Sequence, residues 1–453
     1  MDVWGKKVTV VGLGRSGLAA AQLLVDLGAE VTVTDKSSAE AVKKRAEKLK
    51  VWGSVKVEVG KHSQEAIEGA DLIVVSPGVP PDSPPFTLAR EKGIPLMGEL
   101  ELGACWCPAP IIAVTGTNGK STTVTLTGEL LKAAGRKVIV AGNIGNPLCA
   151  KARELSKDGF AVVEVSSFQL ETIGNFRPFI AAILNVSADH LDRYHNSFSH
   201  YLKVKERLLS YQEAEDFAVL NADDDNLCKD SLYPAGRART FFFSRQRQLR
   251  EGVFVEGGKI ISQWGGKRVF ILTCDELNIK GTHNLENALA ATAIAVICKV
   301  EPRIISGVLR RFPGLPHRLE FVDEIGGVRF INDSKGTNVG AVARSLEGLK
   351  GGVILIAGGR DKGGDYAILK EPVKEKVKAL ILLGEAKDKI KKDLAGTTYI
   401  KEVDSLEEAV RVSYSLAVGG ETVLLSPACA SFDMFKNFEE RGRVFKKAVG
   451  QLR

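Results

Sequence analysis

The sequence has few of the features that mark membrane-spanning or secreted proteins. Its longest apolar run without a charge, residues 288–298, has eleven residues, whereas a membrane helix needs about 20. Seven cysteines at irregular spacing among 453 residues are not a disulfide framework. Residues 1–7 lead directly into a strand-like segment and leave no room for an apolar signal segment. We therefore expect a cytoplasmic protein without a membrane span.

The chain also lacks a concentrated charge of either sign. Its formal net charge of +7 is spread out: residues 1–98 carry 13 Lys and Arg against 12 Asp and Glu, and residues 314–453 carry 23 against 20. A nucleic-acid-binding arm would concentrate basic residues, so no nucleic-acid partner is expected. A mildly positive protein is suited to holding small polyanionic molecules.

Glycine, by contrast, is abundant, with 46 residues, and glycine accumulates where backbone turns tightly or approaches a ligand. Short apolar β-branched runs alternate with helical patterns, which predicts an α/β protein with mainly parallel sheets. Breaks near residues 98 and 314 predict three domains, at 1–98, 99–313 and 314–453. Residues 241–280 read as short strands with glycine turns, which predicts a small antiparallel insert in the middle domain. Expected strands are 8–11, 31–34, 72–76, 111–115, 138–141, 161–165, 180–185, 353–357, 379–383 and 422–426.

The sharpest local signal is a glycine turn between a strand and a helix, TGTNGKST at residues 115–122. Backbone N–H groups at a helix start can surround phosphate oxygens, and Lys120 can place its charge on the β- and γ-phosphates. Ser121 or Thr122 can ligate Mg²⁺. The spacing differs from the common Gly-x4-Gly-Lys form, but strand, lysine and hydroxyls together predict a phosphate-binding loop.

A second glycine turn, GLGRSG at residues 12–17, follows the first strand and opens a helix. Asp35 lies eighteen residues further on, at the end of the next strand. This is the pattern of a dinucleotide-binding turn, with an acidic residue for ribose hydroxyls. Any nucleotide diphosphate satisfies the same physics, and a purely structural turn has the same pattern. Gly78 lies in another glycine turn at a strand end.

Polar residues follow several other predicted strands. Glu164 ends one strand of the middle domain, where a carboxylate beside a phosphate loop suits Mg²⁺, and His190 follows the next strand. Asn284 and Asn287 share one helix face and either hold an adenine or ribose or only cap the helix. Spacing alone makes Lys205 an exposed helix lysine. In the last segment, loops at 332–338, 358–364 and 426–433 form one polar rim that could bind an anionic substrate.

These motifs together resemble the Mur ligase family of ATP-dependent amide-forming enzymes, and the resemblance covers the whole chain. The resemblance implies a Rossmann-like first domain, a central ATPase of the phosphate-loop type and a Rossmann-like third domain. The segments that carry it are the following: TGTNGKST (115–122), EVSSFQLE (164–171), DHLDRY (189–194), GTHNLEN (281–287), LPHRLE (315–320), NDSK (332–335) and LSPACASFD (425–433).

The resemblance further implies that ATP drives the addition of D-glutamate to UDP-N-acetylmuramoyl-L-alanine, through an acyl phosphate, in peptidoglycan precursor synthesis. Lys205 falls at the family's carbamylated lysine, and two Mg²⁺ ions are implied, one of them bound by that carbamate. The implied catalytic residues are Lys120, Glu164, His190 and Lys205, and the implied metal ligands are Ser121, Glu164, His190 and Lys205. ATP is assigned Gly116, Thr117, Asn118, Gly119, Lys120, Ser121, Thr122, Asn284, Asn287, Arg318 and Asp333. The nucleotide sugar is assigned Gly14, Arg15, Ser16, Asp35, Lys36, Gly78 and Asn143, and D-glutamate is assigned Lys335, Thr337, Lys362, Ser431 and Phe432.

Other functions explain only part of the sequence. A nicotinamide-dependent oxidoreductase would use the first glycine turn but would leave the Lys120 loop without a role. A non-catalytic nucleotide switch would use Lys120 but would not need three domains. Folylpolyglutamate synthase shares the ATP domain but would not need a nucleotide-sugar domain. The expected partners are therefore small molecules only, and the expected state is a monomer.

Overall fold

The computed structural model describes residues 1–50, 52, 55–228, 238–361 and 363–453. These residues form three β-sheets with helices between their strands. The chain divides into two compact units, and each is described separately. The first contains Met1–Leu277 and Glu286–Arg310, and the second contains Asn278–Leu285 and Arg311–Arg453. No helix within the described ranges is long and apolar enough to cross a membrane.

The first sheet has five parallel strands in the order β3-β2-β1-β4-β5. Strand order reverses beside β1, which leaves a crevice for a ligand at the carboxyl ends of β1 and β4. The side chains of β1 are buried on both faces of the sheet, as in a doubly wound domain. The elements are β1 (Lys7–Val11), α1 (Arg15–Asp26), β2 (Glu30–Asp35), α2 (Glu40–Lys50), β3 (Lys56–Val59), α3 (Gln64–Glu68), β4 (Leu72–Val75), α4 (Pro84–Glu91), β5 (Leu96–Gly98) and α5 (Glu99–Cys105).

The second sheet has nine strands in the order β14-β13-β12-β11-β10-β9-β6-β8-β7. The seven strands from β7 to β12 in this order run parallel to one another, and β13 is antiparallel to both of its neighbours, β12 and β14. Its strands are β6 (Ile111–Thr115), β7 (Val138–Gly142), β8 (Phe160–Glu164), β9 (Ile180–Ile183), β10 (Phe217–Asn221), β11 (Arg239–Ser244), β12 (Gly252–Glu256), β13 (Lys259–Trp264) and β14 (Lys267–Thr273). The α-helices between β6 and β15 are α6 (Lys120–Ala133), α7 (Ser167–Leu170), α8 (Phe198–Glu206), α9 (Thr282–Ile297) and α10 (Pro302–Arg311).

Residues 241–280 contain the antiparallel strands that the sequence predicts, but these strands belong to the second sheet. Only β12, β13 and β14 make antiparallel pairs, whereas β11 is parallel to both β10 and β12. The stretch therefore extends the main sheet. Glycine turns identify the hairpins locally, but the pairing of β11 with β10 joins distant segments and has no local signature.

The third sheet has six strands in the order β15-β16-β20-β17-β18-β19, all parallel except β15. Residues of β17 are buried along its whole length because helices cover both faces. The elements are β15 (Glu320–Ile325), β16 (Val328–Asn332), α11 (Val339–Glu347), β17 (Val353–Gly358), α12 (Lys370–Lys376), β18 (Val377–Leu383), α13 (Lys387–Asp393), β19 (Tyr399–Glu402), α14 (Leu406–Leu416), β20 (Thr422–Leu425) and α15 (Phe438–Gly450). Three mainly parallel sheets with interleaved helices confirm the predicted α/β class.

Candidate active site

The turn between β1 and α1 is built by two glycines that touch. A side chain on Gly17 would place its Cβ 1.8 Å from the carbonyl oxygen of Gly12, so only glycine fits there. Gly14 is different, because a Cβ there would meet no atom within 4 Å and its φ is −76°. The protein itself therefore does not require a glycine at residue 14, and the open space over it is available to a ligand.

Asp35 supports this turn from the end of β2. Its Oδ2 accepts a hydrogen bond from the backbone N–H of Leu13 at 2.6 Å, and its Oδ1 accepts one from the N–H of Ser37 at 2.8 Å. The Ser76 hydroxyl, at the end of β4, donates to the carbonyl oxygen of Gly12 at 2.9 Å. Side chains at the ends of β2 and β4, the two strands that flank β1, thus fix the turn.

A cavity of about 530 Å³ opens beside this turn. All seven residues that the sequence assigned to the nucleotide sugar lie on its wall: Gly14, Arg15, Ser16, Asp35, Lys36, Gly78 and Asn143. Phe168 and Gln169, which lie in α7 shortly after the end of β8, line it as well. The cavity therefore lies between the ends of strands from the first and second sheets.

His62 is a wall residue that the sequence did not indicate. Its Nδ1 lies 2.9 Å from the Thr34 hydroxyl, and burial lowers the pKa of the ring more than the nearby Asp35 charge raises it. A single histidine outside any motif gives no signal in the sequence. His62 follows β3, and the pairing of β3 with β2 in the structure places it beside the cavity.

The phosphate loop between β6 and α6 contains two positive-φ glycines, Gly116 at 151° and Gly119 at 84°. The Lys120 ammonium donates to the carbonyl oxygens of Gly116 at 2.8 Å and Thr117 at 3.0 Å. Asn287 packs against the loop, because a Cβ on Gly119 would lie 2.1 Å from its Oδ1. These contacts hold the loop in a bent shape.

Glu164 joins the phosphate loop to the cavity. Its Oε2 accepts a hydrogen bond from the Ser121 hydroxyl at 2.7 Å, and its Oε1 accepts one from the Asn143 amide at 2.8 Å. Glu164 is 1% exposed. The described residues contain no group of three or more His, Cys, Asp or Glu side chains that could hold a metal. A cation here would therefore use Ser121 and Glu164 together with oxygens of a bound phosphate.

Lys205 is not the exposed lysine that its spacing predicts, because it is 1% exposed. Its Nζ donates to the carbonyl oxygen of Gly116 at 3.0 Å, which is the same oxygen that Lys120 contacts. It also lies 4.7 Å from the centre of the Tyr201 ring. Burial, followed by the Lys120 charge, lowers the pKa of Lys205 well below its usual value, against an opposite effect of Asp189. The packing of α8 against the loop, which spacing cannot reveal, turns this lysine inward.

His190 begins the turn before α8 with a left-handed backbone, at φ 51°. Its ring lies 5.0 Å from the Phe168 ring, and its Nε2 lies 3.8 Å from the Asp189 carboxylate. Half of the imidazole is exposed. It is therefore accessible beside Phe168, a residue of the cavity wall.

In the second compact unit, the predicted polar residues follow neighbouring strands. Asp333 is buried at the end of β16, where its Oδ2 accepts from the hydroxyls of Ser426 at 2.7 Å and Ser345 at 2.9 Å. Burial raises the pKa of Asp333 to about 6, against the effect of these hydrogen bonds and of Arg318. Because β20 lies between β16 and β17, the three predicted loops share one edge of the sheet.

The other predicted residues of this unit are placed as follows. The Lys335 ammonium lies 4.1 Å from the centre of the Phe438 ring, and the N–H of Thr337 donates to the carbonyl of Lys335 at 2.8 Å. The Asn284 amide donates to the carbonyl of Lys280 at 2.9 Å. Ser431 is buried, Phe432 is 61% exposed, and Lys362 lies outside the described residues.

Three family models match successive parts of the chain. The Mur ligase MurD-like N-terminal domain matches residues 6–98, the Mur ligase middle domain matches 114–295, and the Mur ligase glutamate ligase domain matches 317–429. The chain belongs to the Mur ligase family.

Two relatives match this Mur ligase over nearly the whole length of both chains. A UDP-N-acetylmuramoylalanine--D-glutamate ligase of Thermoanaerobacter sp. (strain X514) is 46% identical, and the match covers 100% of both chains. The protein of the same name from Pelotomaculum thermopropionicum is 47% identical over 100% of this chain and 99% of its own.

Solved structures share the fold of this Mur ligase at low sequence identity. A pseudomurein peptide ligase type C from Methanothermus fervidus has a TM-score of 0.62 at 22% identity and covers 99% of this chain and 100% of its own. The UDP-N-acetylmuramate-alanine ligase of Thermotoga maritima has a TM-score of 0.61 at 19% identity, with the same coverage. The MurF ligase of that organism, in complex with ADP, has a TM-score of 0.61 at 16% identity and covers 100% of this chain and 97% of its own.

Arg441 is a further residue of this Mur ligase that the sequence did not indicate. It is 2% exposed, and its guanidinium donates to the Ser334 hydroxyl at 3.0 Å and to the carbonyl of Cys429 at 3.2 Å. Burial lowers the pKa of Arg441 to about 10. The hydrogen bonds of Arg441 join the loop after β16 to the loop after β20. In the sequence it is one of several charged residues on a helix.

Proposed function

We propose that this chain uses ATP to join D-glutamate to UDP-N-acetylmuramoyl-L-alanine through an amide bond. The observation that carries the proposal is the end-to-end similarity, at 46–47% identity, to proteins named for that reaction. A carboxylate oxygen of the alanyl group would form a bond to the γ-phosphorus as the bond to ADP breaks. The amine of D-glutamate would then attack the acyl carbon, releasing inorganic phosphate and a proton.

The nucleotide sugar would occupy the cavity of about 530 Å³ beside the β1 turn. Two features support this assignment. The space above Gly14 lets a pyrophosphate approach the backbone closely. Asn143 lies on the cavity wall and also bonds Glu164, so a substrate there would extend toward the phosphate loop. The proposed contacts are Gly14, Arg15, Ser16, Asp35, Lys36, Gly78 and Asn143.

ATP would bind at the phosphate loop. In the structure, Lys120 contacts two carbonyl oxygens of its own loop, and a phosphate would offer it a stronger, charged acceptor. Catalysis would then rest on charge neutralisation and alignment. The proposed ATP contacts are Gly116, Thr117, Asn118, Gly119, Lys120, Ser121, Thr122, Asn284, Asn287, Arg318 and Asp333. Lys335, Thr337, Lys362, Ser431 and Phe432 are proposed for D-glutamate.

The Ser121 hydroxyl and the Glu164 carboxylate fit a Mg²⁺ ion, because they already lie 2.7 Å apart and supply hard oxygen ligands. When bound, the ion would neutralise charge on the transferred phosphoryl group. His190 and Lys205 are proposed for a second ion. A lysine can serve there only as a carbamate, formed when its neutral amine attacks CO₂ and loses a proton. The burial of Lys205 and its position beside Lys120 favour the neutral amine.

The proposal includes the three domains at 1–98, 99–313 and 314–453, a monomeric state and a cytoplasmic location. One assay tests the central part: release of phosphate by the full chain with ATP, Mg²⁺ and UDP-N-acetylmuramoyl-L-alanine, using each D- and L-amino acid in turn. We expect release with D-glutamate only, and a product whose mass increases by one glutamyl residue.

The same assay separates the alternatives. Glutamate-dependent release with a folate in place of the nucleotide sugar would indicate a folylpolyglutamate synthase. Nucleotide binding without any amino-acid-dependent release would indicate a switch. An absorbance change with a nicotinamide cofactor would indicate an oxidoreductase. Any of these results, without turnover of the nucleotide sugar, would contradict the proposal.

A further inference from the structure

Arg193 makes a two-point ion pair in the first compact unit. Its Nε donates to Oε1 of Glu171 at 2.9 Å, and its Nη2 donates to Oε2 at 2.7 Å. The Arg193 side chain is 18% exposed and the Glu171 side chain is 9% exposed. A paired arrangement of this kind, largely removed from water, holds both side chains in one geometry.

The same guanidinium reaches the loop that follows β4. Its Nη2 lies 3.4 Å from the carbonyl oxygen of Pro77 and 3.3 Å from that of Val79. Both residues, with Gly78 between them, line the cavity proposed for the nucleotide sugar. Arg193 is not among the described residues that line this cavity, but it lines a neighbouring cavity of about 610 Å³ that shares Phe168 with the first.

On its other side, Arg193 contacts the second half of the wall. Its Cζ lies 4.4 Å from the centre of the Phe168 ring, a cation–π distance, and that ring lies 5.0 Å from the His190 ring. One side chain therefore joins the β4 loop, the Phe168 side of the cavity and the segment that carries His190.

The partner of Arg193 is itself fixed in place. Arg207 donates from Nη1 to the carbonyl oxygen of Glu171 at 3.0 Å and from Nη2 to that of Ile173 at 2.6 Å. Arg207 directly follows α8, the helix that carries Lys205. The β4 loop is therefore connected, through Arg193 and Glu171, to the end of the helix beside the phosphate loop.

We propose that Arg193 is a positioning residue that sets where the β4 loop holds the nucleotide sugar relative to the phosphate loop. The inference rests on the proposed function, in which that substrate is bound at its UDP end and reacts at its alanyl end. Small displacements between two such points reduce turnover strongly, because the reacting atoms must lie within about 3–3.5 Å. Lysine can replace Arg193 only in part, since a lysine ammonium cannot bond Glu171 through two nitrogens and also reach the loop.

The test compares Arg193→Ala and Arg193→Lys with the wild-type full chain. We expect Arg193→Ala to raise the KM for UDP-N-acetylmuramoyl-L-alanine by about 10-fold or more and to lower kcat, with the KM for ATP unchanged. Arg193→Lys should fall between Arg193→Ala and the wild type. The dissociation constant for UDP, measured by calorimetry, should rise in the same order.

Arg177→Ala is the matched control. Arg177 pairs with Glu213, Glu215 and Asp216 in the same compact unit. None of these three partners is among the described residues of the cavity wall, whereas Arg193 contacts wall residues directly. This variant should lose a similar ion pair without a change in the KM for the nucleotide sugar. Melting temperatures of all variants show whether each remains folded.

The inference is wrong if a folded Arg193→Ala or Arg193→Lys variant keeps the wild-type KM for the nucleotide sugar and the wild-type affinity for UDP. If only Arg193→Lys folds, its KM for the nucleotide sugar and its dissociation constant for UDP decide whether the inference holds. A wild-type chain that binds UDP but does not turn over the nucleotide sugar would contradict the proposed function, and UDP affinities would still decide the role of Arg193. A wild-type chain that does not bind UDP would overturn both.

Discussion

The turns after β1 and after β6 share one local design, a buried parallel strand, a glycine turn and a helix, but their surroundings differ in charge. The first turn is supported by the Asp35 carboxylate, which bonds the N–H of Leu13. The second is contacted by two ammonium groups, since Lys120 and Lys205 both donate to the carbonyl of Gly116. The glycines shape both turns, while side chains from other elements determine the chemistry of each.

Under the proposed function, this difference fits a distinct task for each turn. A turn with a carboxylate beneath it suits ribose hydroxyls and a pyrophosphate that stays intact. A turn with a lysine, a hydroxyl and the Glu164 carboxylate suits a phosphate whose charge changes during reaction. Substitutions at the two turns should therefore separate binding of the nucleotide sugar from phosphoryl transfer.

The largest expected effect is at Lys120. Lys120→Ala should lower turnover by about 10³ or more, which corresponds to a loss of ~4 kcal/mol of transition-state stabilisation. UDP affinity should not change, because Lys120 belongs only to the second turn. Steady-state kinetics and calorimetry measure both quantities. Lys132→Ala, an exposed position on the same helix that pairs with Glu129, is the control. Turnover near the wild-type value would remove the assignment of the second turn to ATP.

The next effect in size is at Lys205. Lys205→Ala should lower turnover by more than about 10², because the oxygens that a carbamate offers to a cation are lost. Short carboxylic acids should restore part of the activity by supplying those oxygens. Lys203→Ala, exposed on the same helix, should behave as the wild type. Lys205→Arg keeps a positive charge and cannot form the carbamate, so full activity of that variant would refute the carbamate.

The first turn should respond in UDP affinity instead. Gly14→Val should weaken UDP binding about 10-fold, because the new side chain occupies space that the protein leaves open. Its melting temperature should stay near the wild-type value. Gly17→Ala should instead lower the melting temperature, since its Cβ would clash with the Gly12 carbonyl. Unchanged UDP affinity in a folded Gly14→Val variant would separate the turn from the nucleotide.

The smallest effect is expected at Asp35. Asp35→Asn retains one acceptor oxygen but loses one of the two charge-assisted hydrogen bonds to Leu13 and Ser37. A loss of about 1 kcal/mol, or a few-fold in UDP affinity, should follow. ATP affinity should not change. An equal loss of affinity for UDP and ATP, measured by calorimetry, would show that the two turns are not separate in function.

The buried parallel strands could be predicted because each is a short apolar run of its own. Residues 111–115 and 353–357, for example, lie within β6 and β17. Polar or short strands were missed, including β3 and β19, whose sequences have no continuous apolar run. The parallel pairing of β11 was missed for another reason, since it depends on a partner that lies far away in the sequence.

The candidate site divides in the same way. Residues within glycine turns, such as Gly14 and Lys120, have a local pattern that indicates their chemistry. Lys205 has none, because its role depends on which face of α8 packs against the phosphate loop. The positions of His62, Arg193 and Arg441 likewise depend on contacts between segments that are distant in sequence. Only the resemblance to a family indicated Lys205 in advance.

Asn143 gives the two turns a thermodynamic connection. Its amide donates a hydrogen bond to the Glu164 carboxylate, which also accepts a hydrogen bond from the Ser121 hydroxyl. Asn143 also forms part of the wall of the cavity. A ligand in the cavity that displaces the Asn143 amide would change the hydrogen bonding of the Glu164 carboxylate beside the second turn. Because such coupling is reciprocal, the factor by which the nucleotide sugar alters the affinity for magnesium nucleotide equals the factor by which magnesium nucleotide alters the affinity for the sugar.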